Sequence, residues 1–247
     1  MKLLNDIGTF FGRIRQPKAS LRREGGQGTE MQILVGHSET VRHLLRISDN
    51  RLVSCGDDGV LCVWCTKTGS LLSSIVAHSL PILCALSLSN NYILTGGADT
   101  KICIWDMKNY NCTKTLEKHS SGVQCVCLIP DYIPEYVDQP PPTLKVSRGI
   151  SHRSLLPKRR MIDSDSEESC FCSVGRADDI HVWSGKGEHL RCISRIDPEY
   201  TVECVLSISG CRIVVGTSSP DIVIYHLCSG NKDKCLGHRK GITGLAK

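Results

Sequence analysis

The sequence predicts an all-β fold built from repeated four-stranded units, and two spacings carry this prediction. His37, His78 and His119 lie 41 residues apart, and Trp64 and Trp105 each follow the preceding histidine by 27 residues. Between histidine and tryptophan, short apolar runs alternate with turn residues, which indicates antiparallel strands. A period of about 40–45 residues with this layout is typical of the blades of a β-propeller.

The first two units each supply four predicted strands. In the first unit the apolar runs are VRHLLRIS, RLVSCG, VLCVW and SLLSSIV, over residues 41–48, 51–56, 60–64 and 70–76. The second unit repeats them as ILCALSL, YILTGG, KICIW and NCTKTL, over residues 82–88, 92–97, 101–105 and 111–116. Branched side chains fill the runs, and Asp, Asn, Ser and Gly separate them, which favours short strands joined by tight turns.

The third unit is interrupted and the fourth is degenerate. GVQCVCLI opens the third unit, which resumes with CFCSVG, DIHVW and HLRCIS after an insert at about 131–169. The insert contains a proline cluster, a basic run and an acidic serine run, so it has little to bury and is predicted to be disordered. The fourth unit keeps the strand pattern in TVECVLSI, CRIVVG and DIVIYHL, but Tyr225 replaces the tryptophan.

Composition limits the classes of protein to which the chain can belong. The fifteen cysteines fall mostly inside predicted strands, where a thiol packs as a small apolar group, and no secretory signal is evident, so a reducing compartment is expected. The net charge is +5, and residues 1–30 contribute +3 of it. The repeats are therefore nearly neutral, which does not indicate a nucleic-acid-binding face.

The repeats resemble those of the WD-repeat propeller family. The pieces GHSETV, LVSCGDDGVLCVW, AHSLPI and ILTGGADTKICIWD carry this resemblance, which covers roughly residues 31–247 apart from the insert. The resemblance implies a buried hydrogen-bond network in each blade, linking a His, a turn Asp, a strand Ser or Thr, and the Trp. On this chain the sets are His37, Ser54, Asp58 and Trp64; His78, Thr95, Asp99 and Trp105; and His119, Ser173, Asp178 or Asp179, and Trp183.

Elementary chemistry is consistent with such a network. A buried carboxylate needs donors, a histidine supplies one, and a hydroxyl group extends the chain to the indole N–H. A Ser–His–Asp set could also be catalytic, but this set recurs in successive units, whereas an active site is usually single. We therefore expect a structural role and no enzyme activity, and we expect no network in the fourth unit, which lacks both His and Trp.

The sequence indicates no metal ion and no cofactor. Cys62 and Cys65 form a Cys-x-x-Cys, but residues three apart in a strand face opposite sides of a sheet and cannot close on one metal ion. The glycine pairs Gly25-Gly26 and Gly96-Gly97 lie in a linker and a turn and do not match a phosphate-binding loop.

Two segments outside the repeats leave alternatives open. Residues 1–30 are predicted to be a flexible basic tail, in which residues 3–14 could form an amphipathic helix for a membrane surface or a partner groove, or could simply fray. In the insert, Lys158-Arg159-Arg160 is either a nuclear import signal or an ordinary basic loop. Ser164 and Ser166 precede acidic residues, which favours phosphorylation there by an acid-directed kinase.

The strand count predicts an incomplete ring. It gives four complete blades, one spare strand at 31–35 and the first strand of a fifth blade at 242–246. Because a propeller must close to bury its sheet edges, we expect the N-terminal part of a seven- or eight-bladed ring, and association of the chain through its open faces. A closed four-bladed ring is the alternative.

A propeller without a catalytic cluster is best interpreted as a rigid platform for other proteins. VRHLLRISDNRLVSCGDDGVLCVW and DIHVWSGKGEHLRC further resemble a branch of WD-repeat propellers that assemble with two DENN-domain proteins. This resemblance implies a non-catalytic scaffold in a lysosome-associated complex that regulates autophagy and small GTPases. It implies a cytoplasmic protein recruited to the lysosomal membrane through partners or the N-terminal segment. The alternatives are the substrate receptor of a ubiquitin ligase and a nuclear chromatin-binding propeller.

Overall fold

The described part of the chain folds into four separate antiparallel sheets. A computed structural model describes residues 33–89, 91–130, 132, 169–176, 180–193, 200–208 and 211–245. These residues form sixteen β-strands, four to a sheet, with the strands of each sheet in chain order. The sheets are arranged like propeller blades, which confirms the predicted all-β propeller class.

Fifteen of the sixteen strands fall within one or two residues of the predicted apolar runs, and the last strand, Lys232–Cys235, has no such run. Blade 1 comprises β1 (Val41–Ser48), β2 (Arg51–Gly56), β3 (Val60–Cys65) and β4 (Leu71–Val76). Blade 2 comprises β5 (Ile82–Ser87), β6 (Tyr92–Gly97), β7 (Ile102–Asp106) and β8 (Asn111–Leu116). Blade 3 comprises β9 (Val123–Leu128), β10 (Phe171–Gly175), β11 (Ile180–Trp183) and β12 (His189–Ile193). Blade 4 comprises β13 (Val202–Ile208), β14 (Arg212–Thr217), β15 (Ile222–His226) and β16 (Lys232–Cys235).

Several predicted features fall outside the described part of the chain. These are the tail at 1–30, most of the insert at 131–169, and Asp178 and Asp179. Within the described ranges, no helix has the length and apolar character needed to cross a bilayer.

The blades follow one another in series, with the first strand of each blade innermost. Strand β1 packs beside β5, β5 beside β9, and β9 beside β13. No contact of similar extent joins β13 back to β1 within the described strands. The four blades therefore form an open arc, and the alternative of a closed four-bladed ring does not describe this structure.

Apolar side chains fill the spaces between blades. We call the face of a blade that looks towards the next blade its front face. Directly paired residues of the first three strands form a front row there, as shown by the strand registers. The front rows are Leu45–Val53–Val63 in blade 1, Leu86–Leu94–Ile104 in blade 2, Cys127–Cys172–Val182 in blade 3 and Leu206–Val214–Ile224 in blade 4. The second and third residues of each row are buried in blades 1–3 but only half-buried in blade 4.

Two sets of side chains tie successive blades together through backbone carbonyl groups. The third residue of each innermost strand reaches the next blade: His43 Nε2 lies 2.8 Å from Leu83 O, Cys84 Sγ 3.3 Å from Val123 O and Cys125 Sγ 3.4 Å from Glu203 O. Farther from the innermost strands, cationic side chains donate hydrogen bonds to the turn after the third strand of the following blade. These bonds, 2.8–3.0 Å long, run from Arg51 to Met107 O, from Lys114 to Lys186 O and from Arg191 to Leu227 O.

The spare strands differ from the prediction. Residues 33–35 and 242–245 adopt no strand, because neither segment has a hydrogen-bonded neighbouring strand among the described residues. Ile242 nevertheless continues the series of blades: Cys204 Sγ lies 3.7 Å from its carbonyl oxygen, and its amide donates to Thr217 O at 2.8 Å. Its side chain lies against Gly216 as that of Val123 lies against Gly96. In both cases a γ-carbon of the side chain lies 2.8 Å from the position that a Cβ on the glycine would take.

Candidate functional site

In blade 1 the four predicted residues meet in one hydrogen-bonded relay. His37 lies in the loop before β1, with Nδ1 2.8 Å from Asp58 Oδ2 and Nε2 2.7 Å from Ser54 Oγ. The Trp64 indole donates to the same Ser54 Oγ at 2.7 Å. Asp58 also accepts the backbone N–H groups of Ser38 and Val60, both at 3.1 Å. The relay thus ties the incoming loop to the β2–β3 turn and to the end of β3.

Blade 2 repeats this relay with small changes in distance. His78 Nδ1 lies 2.9 Å from Asp99 Oδ1, and Nε2 lies 2.8 Å from Thr95 Oγ1. The Trp105 indole donates to Thr95 Oγ1 at 2.9 Å. Asp99 accepts the backbone N–H groups of Ser79 and Lys101 at 3.1 and 3.3 Å. The equal spacing of the two sets in the sequence therefore produces the same geometry twice.

The turn carboxylates are stabilised in their charged form. Burial alone would raise the pKa of Asp58, but hydrogen bonds from His37 and from the Val60 and Ser38 amides hold it below its ordinary value. The pKa of Asp99 is lowered in the same way against burial, by the hydrogen bond and charge of His78 and by two backbone amides. An acceptor-only carboxylate is therefore matched with donors on every side.

The space for the relay in blade 2 depends on a glycine. Gly97 ends β6 beside the relay, and a methyl group on its Cα would overlap both Asp99 Oδ1 and His78 Nδ1. Thr217 takes the corresponding place in blade 4. Gly97 and Thr217 correspond because each pairs with the first residue of the innermost strand of its own blade. A side chain is thus present at this position in the blade that has no relay.

Blade 3 holds part of the relay and adds two imidazoles. His119 Nε2 lies 2.7 Å from Ser173 Oγ, which also accepts the Trp183 indole N–H at 2.7 Å. His181 stands edge-on to His119, with ring centroids 4.5 Å apart, and its Nδ1 lies 2.9 Å from His189 Nε2. The pKa of His189 is lowered, mainly by burial and to a smaller extent by the positive charge of Lys118.

Sequence reasoning missed the two additional imidazoles. The signal was present, because His181 lies two residues before Trp183 and pairs across the strands with Ser173. In blades 1 and 2 the same place belongs to Cys62 and Cys103, so the periodic pattern gave no reason to expect a ring there.

Blade 4 cannot form the relay, because Val215 occupies the place of the hydroxyl residue. Its side chain can neither accept the bond from an indole nor bond to an imidazole. Tyr225, in the place of the tryptophan, is buried with Val215 in the apolar core between blades 3 and 4.

The relay hydroxyls are placed for structure and are poorly placed for catalysis. Ser54 is 3% exposed, and Thr95 and Ser173 are 0% exposed. Each of them bonds to both an imidazole and an indole, so the hydroxyl oxygen is already engaged within its blade. Cys62 is buried and Cys65 only partly so, and the described residues hold no cluster of His, Cys, Asp or Glu arranged to bind a metal ion.

Comparison with known families accounts for this geometry. Residues 28–65 and 69–106 each match the family model described as WD domain, G-beta repeat. The chain contains WD40 repeats. The two matched segments are those that carry the complete relays of blades 1 and 2.

Individual relatives of these WD40 repeats share short segments with the chain. WD repeat-containing protein 41 of Mus musculus is 43% identical over 60 residues, which is 22% of this chain and 13% of that protein. The Homo sapiens protein of the same name is 43% identical over 44 residues, which is 18% of this chain and 10% of that protein. The aligned segments therefore represent a small part of either relative.

A solved WD propeller gives the broader match. The structure titled "Structure of U3-55K" superposes with a TM-score of 0.62 at 16% sequence identity, over 85% of this chain and 55% of that chain. At this identity the similarity shows the fold alone.

The blades at the two ends of the arc leave apolar surface exposed. The front row of blade 4 is half-buried, although it consists of Leu206, Val214 and Ile224. At the opposite end, Leu44 of β1 and Leu72 of β4 are 63% and 46% exposed. Apolar surface of this kind on rigid sheets is suited to contacts between proteins.

Proposed function

We propose that this chain is a non-catalytic protein–protein interaction scaffold that serves as a subunit of a lysosome-associated complex regulating autophagy and small GTPases. The WD40 propeller fold suggests the scaffold role. The observation that carries the narrower assignment is the 43% identity with WD repeat-containing protein 41 over segments of the repeat region. The proposed partners are DENN-domain proteins, and the proposed location is cytoplasmic with recruitment to the lysosomal membrane.

The physical character of the blades supports a scaffold. The relay hydroxyls of Ser54 and Thr95 are buried and bonded to the imidazoles of His37 and His78, so they serve the fold. Ties between blades, such as those from His43 and Arg191 to backbone carbonyl groups, fix the relative positions of neighbouring sheets. A rigid framework lowers the entropy lost when a partner binds, because few groups need to be ordered at that moment.

Affinity purification of the tagged protein from cells tests the proposed partners. Co-purification of DENN-domain proteins is the expected result. Recovery of cullin adaptors without them would replace this proposal with a ubiquitin-ligase receptor, and recovery of histones would replace it with a chromatin-binding propeller.

A matched variant makes that experiment specific for the folded blades. Gly97→Ala displaces the blade 2 relay and alters no exposed side chain, so a partner that requires the native geometry of blade 2 should be captured less by this variant. Proteins that are captured equally by the wild type and by Gly97→Ala do not depend on that geometry.

A further inference from the structure

Blade 3 carries a pair of cysteines in contact at the centre of its front face. Cys127 on β9 and Cys172 on β10 are direct cross-strand partners, and their sulfur atoms lie 3.2 Å apart. In blades 1, 2 and 4 the same two positions hold Leu45 with Val53, Leu86 with Leu94, and Leu206 with Val214. Aliphatic pairs therefore meet the packing need of this position elsewhere, and the thiol pair is peculiar to blade 3.

We propose that Cys127 and Cys172 form a reversible disulfide when the protein meets a hydroperoxide. None of the fifteen cysteines forms a disulfide in this structure. Facing residues of an antiparallel pair have Cα atoms roughly 4.5–5.5 Å apart, which lies within the range that a disulfide requires. The two sulfur atoms, already 3.2 Å apart, can therefore approach bonding distance by rotation of their side chains.

The burial of the two thiols assigns their roles in the reaction. Cys127 is half-buried, whereas Cys172 is 0% exposed. The hydrogen bond shared with Cys127, together with burial, raises the pKa of Cys172 well above its ordinary value, so this thiol remains protonated and unreactive on its own. Cys127 is therefore the sulfur that the peroxide reaches, and Cys172 is the thiol that resolves the product.

The chemistry balances with a hydroperoxide as the only added reactant. The Cys127 sulfur attacks one peroxide oxygen, the O–O bond breaks, and a sulfenic acid and one water molecule (or an alcohol) are formed. The Cys172 sulfur then attacks the sulfenic sulfur, its proton leaves with the hydroxyl group as a second water, and the S–S bond is complete. Two thiols are oxidised, one peroxide is reduced, and an added dithiol reverses the process.

The position of the pair gives the disulfide a structural consequence. Residues 129–170 join β9 to β10, so the bond would close the longest connection between consecutive strands of the blades. Closing a loop of this length removes conformational freedom from the unfolded chain and should stabilise blade 3. Oxidation is therefore expected to raise the Tm by about 5 °C or more, and dithiothreitol should reverse the rise.

Peptide mapping of the full chain tests the proposal. The wild-type protein is treated with hydrogen peroxide, its remaining thiols are alkylated, and it is digested without reduction. The expected product is a linked peptide pair containing Cys127 and Cys172 that separates on reduction, together with the reversible rise in Tm. Alkylation of both cysteines at a peroxide dose that oxidises the exposed Cys112 would overturn the proposal, as would a linked pair without any rise in Tm.

Two variants separate this bond from other thiol chemistry. Cys172→Ser should lose both the linked peptide and the rise in Tm. Cys84→Ser is the matched control, because Cys84 is also buried on a strand but its sulfur faces the Val123 carbonyl oxygen, so this variant should retain both effects. Persistence of the rise in Cys172→Ser contradicts the proposal. If Cys172→Ser does not fold, the wild-type peptide map decides the question by itself.

Discussion

Blades 1 and 2 are held together differently from blade 4, and blade 3 is intermediate because it keeps part of the relay. Each of the first two contains a complete relay that runs from a buried carboxylate through an imidazole and a hydroxyl to an indole. Blade 4 has Val215 in place of the hydroxyl residue, and the core between blades 3 and 4 consists of thiols, aliphatic groups and the rings of Tyr132 and Tyr225. The cysteines in that core are Cys125, Cys127, Cys170, Cys172, Cys211 and Cys228.

This difference shows that one blade backbone can be stabilised in two ways. A polar relay has strict geometry, and removal of one member leaves its buried partners without hydrogen bonds. Apolar packing is less demanding, because a smaller side chain loses contact area without leaving a charge unpaired. Blades 1 and 2 should therefore respond sharply to single polar substitutions, whereas blade 4 should respond mainly to changes in volume.

Removal of a relay carboxylate should give the largest effect. Asp99→Ala leaves His78 and two backbone amides without their acceptor, so we expect the free energy of unfolding to fall by about 3 kcal/mol or more. Urea denaturation measures the change. Asp233→Ala in blade 4 removes the partner of His226 from a pair whose carboxylate is 66% exposed, and should change stability by less than about 0.5 kcal/mol. Equal losses in the two variants would contradict the comparison.

Substitution of the residue that ends the second strand of blade 2 or of blade 4 should have the next largest effect on stability. Gly97→Ala forces the His78–Asp99 pair apart and should destabilise the protein by about 2 kcal/mol. Thr217→Gly, at the matching position of blade 4, makes no such space for any relay and should cost about 1 kcal/mol or less. The two substitutions are compared by thermal melts in the same buffer. A Gly97→Ala protein as stable as the wild type would show that the relay does not need this space.

The open front face of blade 4 should make the isolated chain associate. Val214→Lys places a charge in the half-buried front row and should shift the protein towards monomer in size-exclusion chromatography with light scattering. Leu236→Lys is the control, since Leu236 is 78% exposed but lies after β16, away from the front row. A wild-type chain that is already a monodisperse monomer with a cooperative melt would contradict the expected association.

The pH dependence of stability should also differ between blade 3 and the first two blades. This effect should be the smallest of the four. The pKa of His189 is lowered in the folded state, so below its ordinary value of 6.5 the unfolded chain binds more protons and stability falls as the pH decreases. The pKa values of Asp58 and Asp99 are lowered too, but their stabilisation is lost only as the pH falls below their ordinary value of 3.8. The Tm of the wild type should therefore drop slightly between pH 7.5 and 5.5, and His189→Gln should drop less. Parallel curves for the two proteins would exclude His189 as the cause.

The relays of the first two blades are the part of the site that sequence reasoning reached most fully. The structure brings together every residue named for blades 1 and 2, because the spacing from His37 to Trp64 recurs unchanged from His78 to Trp105. In blade 3 it joins His119, Ser173 and Trp183, while Asp178 lies outside the described residues. The imidazoles of His181 and His189 do not recur at this period and were therefore missed.

The amino-acid sequence by itself determined fifteen of the sixteen described strands and the members of the relays in blades 1 and 2. Each of these depends on local alternation and on a repeat of constant length, and both can be counted along a chain. Tertiary structure alone decided the contact between Cys127 and Cys172, the half-exposed row of Leu206, Val214 and Ile224, and the need for a glycine at position 97. These features depend on which atoms of distant segments come within a few ångströms of one another, and that distance is set by the packing of strands and blades in space.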